Sequence, residues 1–176
     1  GPKSSIARAI KKKFISKDYN QVAIVANVNH VNNHNGEAHQ IFFSGGPIAS
    51  LPLKGNRSAI VWSEEKKKGF QVSQLKNEGF LEELKTKLNN ILTGIALDSE
   101  KSIFPLTLSL LRDFVDERRV FIGDSAHRIH PLAGQGLNLG LRDIASLTEI
   151  LVNAKKIGED IGSISVLKRY EQWRSF

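Results

Sequence analysis

One segment of the chain holds the residues best suited to bind a ligand. An apolar run ends in a Gly-Asp pair, a loop rich in Pro and Gly follows, and an apolar helical pattern then begins. The aspartate would accept hydrogen bonds from ligand hydroxyls, and glycines let the backbone turn with positive φ and approach a flat ligand. The first N–H groups of the helix would stabilise negative charge on that ligand. The candidate cofactor-binding residues are Gly123, Asp124, Pro131, Gly134, Gly136, Leu137 and Asn138.

This segment resembles the second flavin-binding motif of the FAD-dependent aromatic hydroxylases. In that family Gly-Asp-Ala-Ala-His is followed by Pro and by Gly-Gln-Gly-x-Asn, and here the match runs from Gly123 to Asn138, with Asp143 in register. The stretch from His127 to Asp143 is most similar to the ubiquinone-biosynthesis (UbiH-type) branch. Residues 45–53 and 58–63 look like the substrate-domain strands of that branch, so the resemblance covers nearly the whole chain.

The resemblance implies a role for each part of the motif. Asp124 would bind the ribityl chain of FAD, Pro131 would lie near the edge of the isoalloxazine ring, and residues 136–138 would offer N–H groups to its pyrimidine end. In the family, NAD(P)H reduces FAD, and O2 is then used to hydroxylate an aromatic ring, here of a polyprenyl phenol precursor of ubiquinone. The cofactor carries the oxygen chemistry, so no catalytic side chain is expected.

The chain also departs from the family pattern. A Gly-x-Gly-x-x-Gly dinucleotide fingerprint, which opens the family's sequences, does not occur in it. We therefore expect the central and C-terminal part of such an enzyme, inactive by itself. Gly1-Pro2 is either a remnant of tag removal or the end of the family's middle motif, Asp-Gly-x-x-Ser. The alternative function is a non-catalytic binding module that has lost the cofactor.

The hydrophobic pattern predicts an α+β fold. Period-two alternation indicates antiparallel strands in the first third of the chain, and spacings of three and four indicate later helices. We expect a substrate domain over 1–112, and over 113–176 the C-terminal part of an FAD-binding domain, containing a strand–loop–helix. The predicted strands are 20–29, 39–43, 48–53, 58–63, 103–111 and 120–122, and the predicted helices cover 74–92, a long segment after residue 136, and a segment capped by Ser163.

Several side chains allow more than one interpretation. His127 and His130 have HxxH spacing, but the loop context and the lack of nearby Cys or Glu ligands argue against a metal site, and His127 is expected to orient the loop. Ser125 beside His127 suggests a hydrolase, but the Gly-x-Ser-x-Gly elbow is missing. Arg142 and Asp143 either pair with loop groups or form the polar face of a helix.

Two further groups have a simple structural explanation. Three histidines surround an Asn-rich turn and are expected to be exposed: His30, His34 and His39. Phe42, Phe43 and Trp62 are expected in the core, with a substrate pocket as the alternative for each.

Composition excludes some classes of function. The 176 residues include no Cys, which removes disulfides and thiol chemistry, and the apolar runs are shorter than the roughly 18–20 residues of a membrane span. The net charge is +7, with two Lys triplets that we interpret as solvated surface rather than a nucleic-acid site.

The resemblance implies a lipophilic aromatic substrate and a cytoplasmic protein in peripheral contact with the inner membrane. Truncation would expose an apolar surface and favour self-association.

Overall fold

Alternating apolar residues form an antiparallel sheet in the first half of the chain. Its strands follow the order β2-β3-β4-β1. Ile24 and Ile48 both lie opposite Trp62 in the strand register, which places these three side chains on one buried face. The four strands are β1 (Phe14–Asn29), β2 (His39–Phe43), β3 (Gly46–Leu53) and β4 (Arg57–Glu65). These four predicted strands are confirmed, although β1 begins six residues before the predicted start at Asn20.

Two helices supply the side chains that complete this core. They are α2 (Lys66–Gln74) and α3 (Asn77–Leu88), and Phe80, Leu84 and Leu88 of α3 join the buried cluster. The prediction of one helix over 74–92 was wrong in its extent, because Leu75 is extended (φ −57°, ψ 146°) and separates two helices. α2 escaped prediction because only Gly69 and Val72 are buried in it, which leaves little apolar periodicity.

Residues 4–18 and 107–175 form a second unit around two helices. α4 (Gln135–Lys156) carries Ile150 and Ala154 into an apolar core, and α5 (Ile164–Arg174) adds Val166, Leu167 and Tyr170. Ser163 caps α5 as predicted, with its hydroxyl accepting from the Val166 N–H at 3.4 Å. The remaining elements of the whole chain, from both units, are α1 (Ser5–Ala9), β5 (Ala96–Leu97), β6 (Ser102–Leu111), β7 (Val115–Asp116), β8 (Arg119–Val120), a 3-10 turn (Gly123–Ser125) and β9 (His127–Arg128).

The computed structural model describes residues 4–88 and 90–175, so the interpretation of Gly1-Pro2 lies outside the described residues. It divides into two compact units, one of residues 19–106 and the other of the remainder. The predicted division at residue 112 differs from these units. The start of the chain belongs with the C-terminal residues, because Ala7 packs with Leu111, Phe121 and Ala126. The functional labels of the two parts remain predictions.

The predicted strand at 120–122 is largely absent. Only Val120 belongs to a strand, the two-residue β8 that pairs with β7. Phe121 is buried, and its N–H donates to the Phe114 carbonyl at 2.8 Å, while Ile122 already caps the following 3-10 turn. Apolar character correctly indicated burial here, but the chain turns too soon for a longer strand.

Candidate functional site

An apolar groove lies between the turn at Gly123–Ser125 and the first turns of α4. Its volume is about 350 Å³. Four of the predicted site residues contribute to its wall, together with apolar side chains from the same two segments. The groove is lined by Ile122, Gly123, Asp124, Gly136, Leu137, Gly140, Leu141 and Ile144.

Close backbone contact holds the turn against the helix. Gly123 has φ of +54°, a conformation that L side chains rarely adopt. A Cβ added to Gly140 would lie only 3.6 Å from the Cα of Gly123. The turn therefore rests directly on the α4 backbone, and Asp124 follows at the mouth of the groove.

The start of α4 is open to a ligand. Its N-cap, Gly134, has φ of +64° and has no side chain that could accept from the first N–H groups of the helix. A Cβ added to Gly136 would meet the Asp124 Oδ1 at 4.0 Å. The Asp124 carboxylate therefore lies beside the positive, N-terminal end of the α4 dipole. Because residue 136 is glycine, no side chain stands between the carboxylate and the helix backbone.

The other predicted site residues lie outside this groove. Pro131, Gly134 and Asn138 are exposed on the same loop and helix start. The Leu132 carbonyl accepts from the Gln135 N–H at 3.1 Å, which closes the loop onto the helix. Of the seven predicted site residues, four therefore line the groove and three lie on the adjoining loop and helix start.

A buried carboxylate lies beneath the turn. Asp143 is fully buried, its Oδ2 accepts from the Gly123 N–H at 2.8 Å, and it lies 2.6 Å from the His127 Nε2. Its Oδ1 accepts from the Arg174 Nε at 2.7 Å. Asp143 therefore pairs with loop groups, whereas Arg142 is exposed on the polar face. The predicted role of His127 in holding the loop agrees with this contact.

Two other titratable groups in this unit respond to burial. Burial raises the pKa of Tyr170, and the nearby charge of Asp143 raises it further. Its hydroxyl donates to the Phe121 carbonyl at 3.4 Å, just before the turn. Burial also lowers the pKa of His130 below its usual value.

Ser125 and His127 are both engaged in hydrogen bonds at the turn. In the described ranges no three His, Asp or Glu side chains cluster as metal ligands would. The Ser125 hydroxyl donates to the Ile122 carbonyl at 2.6 Å, and His127 is engaged with Asp143. Both side chains therefore serve the conformation of the turn.

The expectation for the second histidine group was partly wrong. His30 is buried, with its ring nitrogens 3.0 Å from the Ser58 Oγ and 2.7 Å from the Asn32 carbonyl oxygen. The Asn-rich turn folds back over the β3–β4 connection, where the His34 Nε2 reaches the Leu53 carbonyl at 2.9 Å. Packing of one turn on another could not be read from local composition.

The aromatic residues of the sheet also separate into two kinds. Trp62 lies in the core as expected, but Phe42 and Phe43 are exposed, which corrects the expectation of core packing for both. Both belong to β2, the outermost strand in the order β2-β3-β4-β1. Because β2 is an outermost strand, a neighbouring strand covers it on one side only, and its aromatic side chains stay exposed.

The groove continues onto an exposed apolar face of α4. Leu137, Leu141 and Ile144 follow one another at helical spacing and are each at least half exposed. All three side chains also line the groove, so its apolar wall extends to the exposed surface of the helix. None of the helices in the described part of the chain has the length and apolar character of a membrane span.

Comparison with known proteins gives the family. The model of a family described as "FAD binding domain" matches residues 1–175. The chain is 40% identical over 156 residues to ubiquinone hydroxylase UbiL of Rhodospirillum rubrum, covering 89% of this chain and 36% of that protein. It is 32% identical over 209 residues to the human ubiquinone biosynthesis monooxygenase COQ6, covering 99% and 44%. The chain spans less than half the length of these relatives.

Solved structures agree on the fold. PqsL, a probable FAD-dependent monooxygenase from Pseudomonas aeruginosa, superposes with a TM-score of 0.76 at 19% identity, covering 99% of this chain and 49% of that one. The flavin-dependent halogenase CmlS gives a TM-score of 0.77 at 19% identity, covering 99% and 32%. These likenesses confirm the α+β fold. The family match over residues 1–175 establishes that the chain belongs to the FAD-binding domain family.

Proposed function

We propose that the chain forms part of an FAD-dependent monooxygenase that hydroxylates an aromatic ring of a ubiquinone precursor. The observation that carries this proposal is the meeting of the Asp124 carboxylate with the uncapped start of α4 across the bare backbone of Gly136. A flavin needs an acceptor for its ribityl hydroxyls and donors for the pyrimidine end of its ring. This groove presents both within one turn of helix.

The residues fit the flavin part of FAD in shape as well as in charge. The groove walls are mostly apolar, which suits a flat ring system, and a side chain at position 136 would narrow the space in front of Asp124. Asp124 would hold the ribityl chain, the N–H groups of Gly136 and Leu137 would face the pyrimidine end, and Pro131 would border the ring. Asn138 would contribute less, because its N–H already donates to the Gly134 carbonyl at 3.5 Å. Gly123 and Gly134 would provide the two tight turns.

Held by these residues, FAD would supply the redox chemistry for hydroxylation of the aromatic ring, with NAD(P)H as the reductant and O2 as the oxidant. The protein would contribute position and exclusion of water. Negative charge that develops at the pyrimidine end would be stabilised by the helix dipole of α4. No described side chain needs to act as a nucleophile.

The names of the relatives support a lipophilic aromatic substrate. One further relative, 35% identical over 156 residues, is the 3-demethoxyubiquinol 3-hydroxylase of Escherichia coli, and the match covers 89% of this chain and 40% of that protein. Substrates that carry a prenyl tail partition into membranes, so we propose peripheral membrane contact by the whole protein. The exposed face of α4 is the surface through which the chain alone would self-associate.

Replacing Asp124 by alanine should weaken FAD binding by about tenfold to a hundredfold, the effect of losing one or two hydrogen bonds to a charged acceptor. The measurement is an FAD titration of the full-length protein, followed by flavin fluorescence and absorbance. Asp113→Ala is the matched control, because Asp113 is an exposed carboxylate in the same unit outside the groove. If the full-length protein holds no flavin, the chain is instead a binding module that has lost its cofactor.

A further inference from the structure

Asp143 occupies an unusual place for a carboxylate. Its side chain is fully buried in α4, and its Oδ2 interacts with two groups that flank Asp124 in sequence, the Gly123 N–H and the His127 imidazole. One oxygen atom therefore contacts the chain both before and after Asp124 and holds the turn that carries it. The other oxygen accepts from Arg174 of α5.

Charge balance explains why this carboxylate is tolerated. A buried carboxylate is costly unless it is paired and hydrogen-bonded. The Arg174 side chain is only 10% exposed and supplies the opposite charge at 2.7 Å. Gly123 and His127 both interact with the other carboxylate oxygen, so the cluster joins α4, α5 and the turn at a single point.

The cluster also fixes a distance that matters for the groove. The close approach of Gly123 and Gly140 sets how near the turn lies to α4. The Asp143 contact with the Gly123 N–H sets how the turn is oriented, and therefore where the next residue, Asp124, places its carboxylate relative to Gly136. No ligand has to touch Asp143 for it to act in this way.

We propose that Asp143 is a positioning residue that sets the geometry of the flavin-binding turn through Gly123 and His127. This inference rests on the proposed function, since it concerns the same groove. The Asp143 carboxylate accepts at both oxygens, whereas an asparagine amide accepts at one and donates at the other. With asparagine at 143, an N–H group faces either Arg174 or the pair formed by Gly123 and His127, and one of those donors loses its acceptor.

The test is an FAD titration of the full-length protein and its Asp143→Asn variant, with visible circular dichroism of the bound flavin as a second readout. We expect the dissociation constant to rise at least about tenfold and the flavin dichroism to change. Glu149→Gln is the control, because it removes an exposed carboxylate from the same helix. Thermal unfolding of the apo forms separates a loss of fold from a shift of the turn.

A second pair of variants keeps the proposal testable if Asp143→Asn does not fold. His127→Gln retains an N–H donor near the position of Nε2 and should bind FAD within about threefold of wild type, whereas His127→Leu should weaken binding about tenfold. If the folded variants bind FAD with wild-type affinity and dichroism, Asp143 contributes only to stability and the inference is wrong. If the wild-type protein itself binds no FAD, the proposed function fails and the inference fails with it.

Discussion

Replacing Trp62 by alanine should lower the free energy of unfolding of the sheet unit by about 3–5 kcal/mol, as loss of a fully buried large aromatic side chain does. Trp62 has no exposed surface and lies opposite Ile24 and Ile48 in the strand register. Its ring stacks on Phe80 of α3 with centroids 6.2 Å apart. The cavity would therefore open at the contact between sheet and helix, where backbone relaxation can fill it least.

Urea unfolding followed by far-ultraviolet circular dichroism would measure this loss. Trp62→Phe should cost clearly less, because it keeps an aromatic ring against Phe80 and removes an indole N–H that has no hydrogen-bond partner among the described residues. Trp173→Ala is the second control: this residue, the chain's other tryptophan, is 55% exposed, so its loss should change stability by no more than about 0.5 kcal/mol. A loss below about 1 kcal/mol for Trp62→Ala would contradict the core described for this unit.

The strands were predictable because one face of the sheet is buried. Alternation in β1 follows from Val22, Ile24, Ala26 and Val28, which all point into buried positions. β4 shows the same pattern at Ile60 and Trp62. Two elements lack such a pattern. α2 was not predicted, because it buries only two residues. The strand predicted over 120–122 was wrong, because the chain turns at Ile122 directly after a buried phenylalanine.

The groove was predictable because its residues are close together in the sequence. Gly123, Asp124, Gly136 and Leu137 belong to one motif, and the chemistry of each residue type indicates its use. Arg174 was missed, because it reaches Asp143 from 31 residues away and nothing in its own surroundings marks it. The burial of His30 was missed for the same reason, since its partner Ser58 lies 28 residues along the chain. Local patterns specify elements and motifs, whereas pairing between distant side chains depends on the assembled fold.

Replacing Gly136 by leucine should weaken FAD binding of the full-length protein by about a hundredfold or more, without loss of stability. Gly136 lies in the first turn of α4 and lines the groove, and a Cβ there meets nothing nearer than the Asp124 Oδ1 at 4.0 Å. The helix therefore accepts a side chain at this position, and in a helix interior alanine is favoured over glycine by about 0.5–1 kcal/mol. A leucine side chain would extend into the space in front of Asp124, which the flavin would have to occupy.

Gly136→Ala separates the volume of the side chain from the loss of glycine. Its single methyl group should raise the FAD dissociation constant far less than leucine does, and both variants should unfold thermally at or above the wild-type temperature. This ordering follows from a site made of bare backbone, because affinity falls with the volume added while the apo fold is unaffected. Equal FAD affinity for the alanine and leucine variants would place the flavin outside this groove, and the proposed roles of Asp124 and the α4 N-terminus would then be wrong.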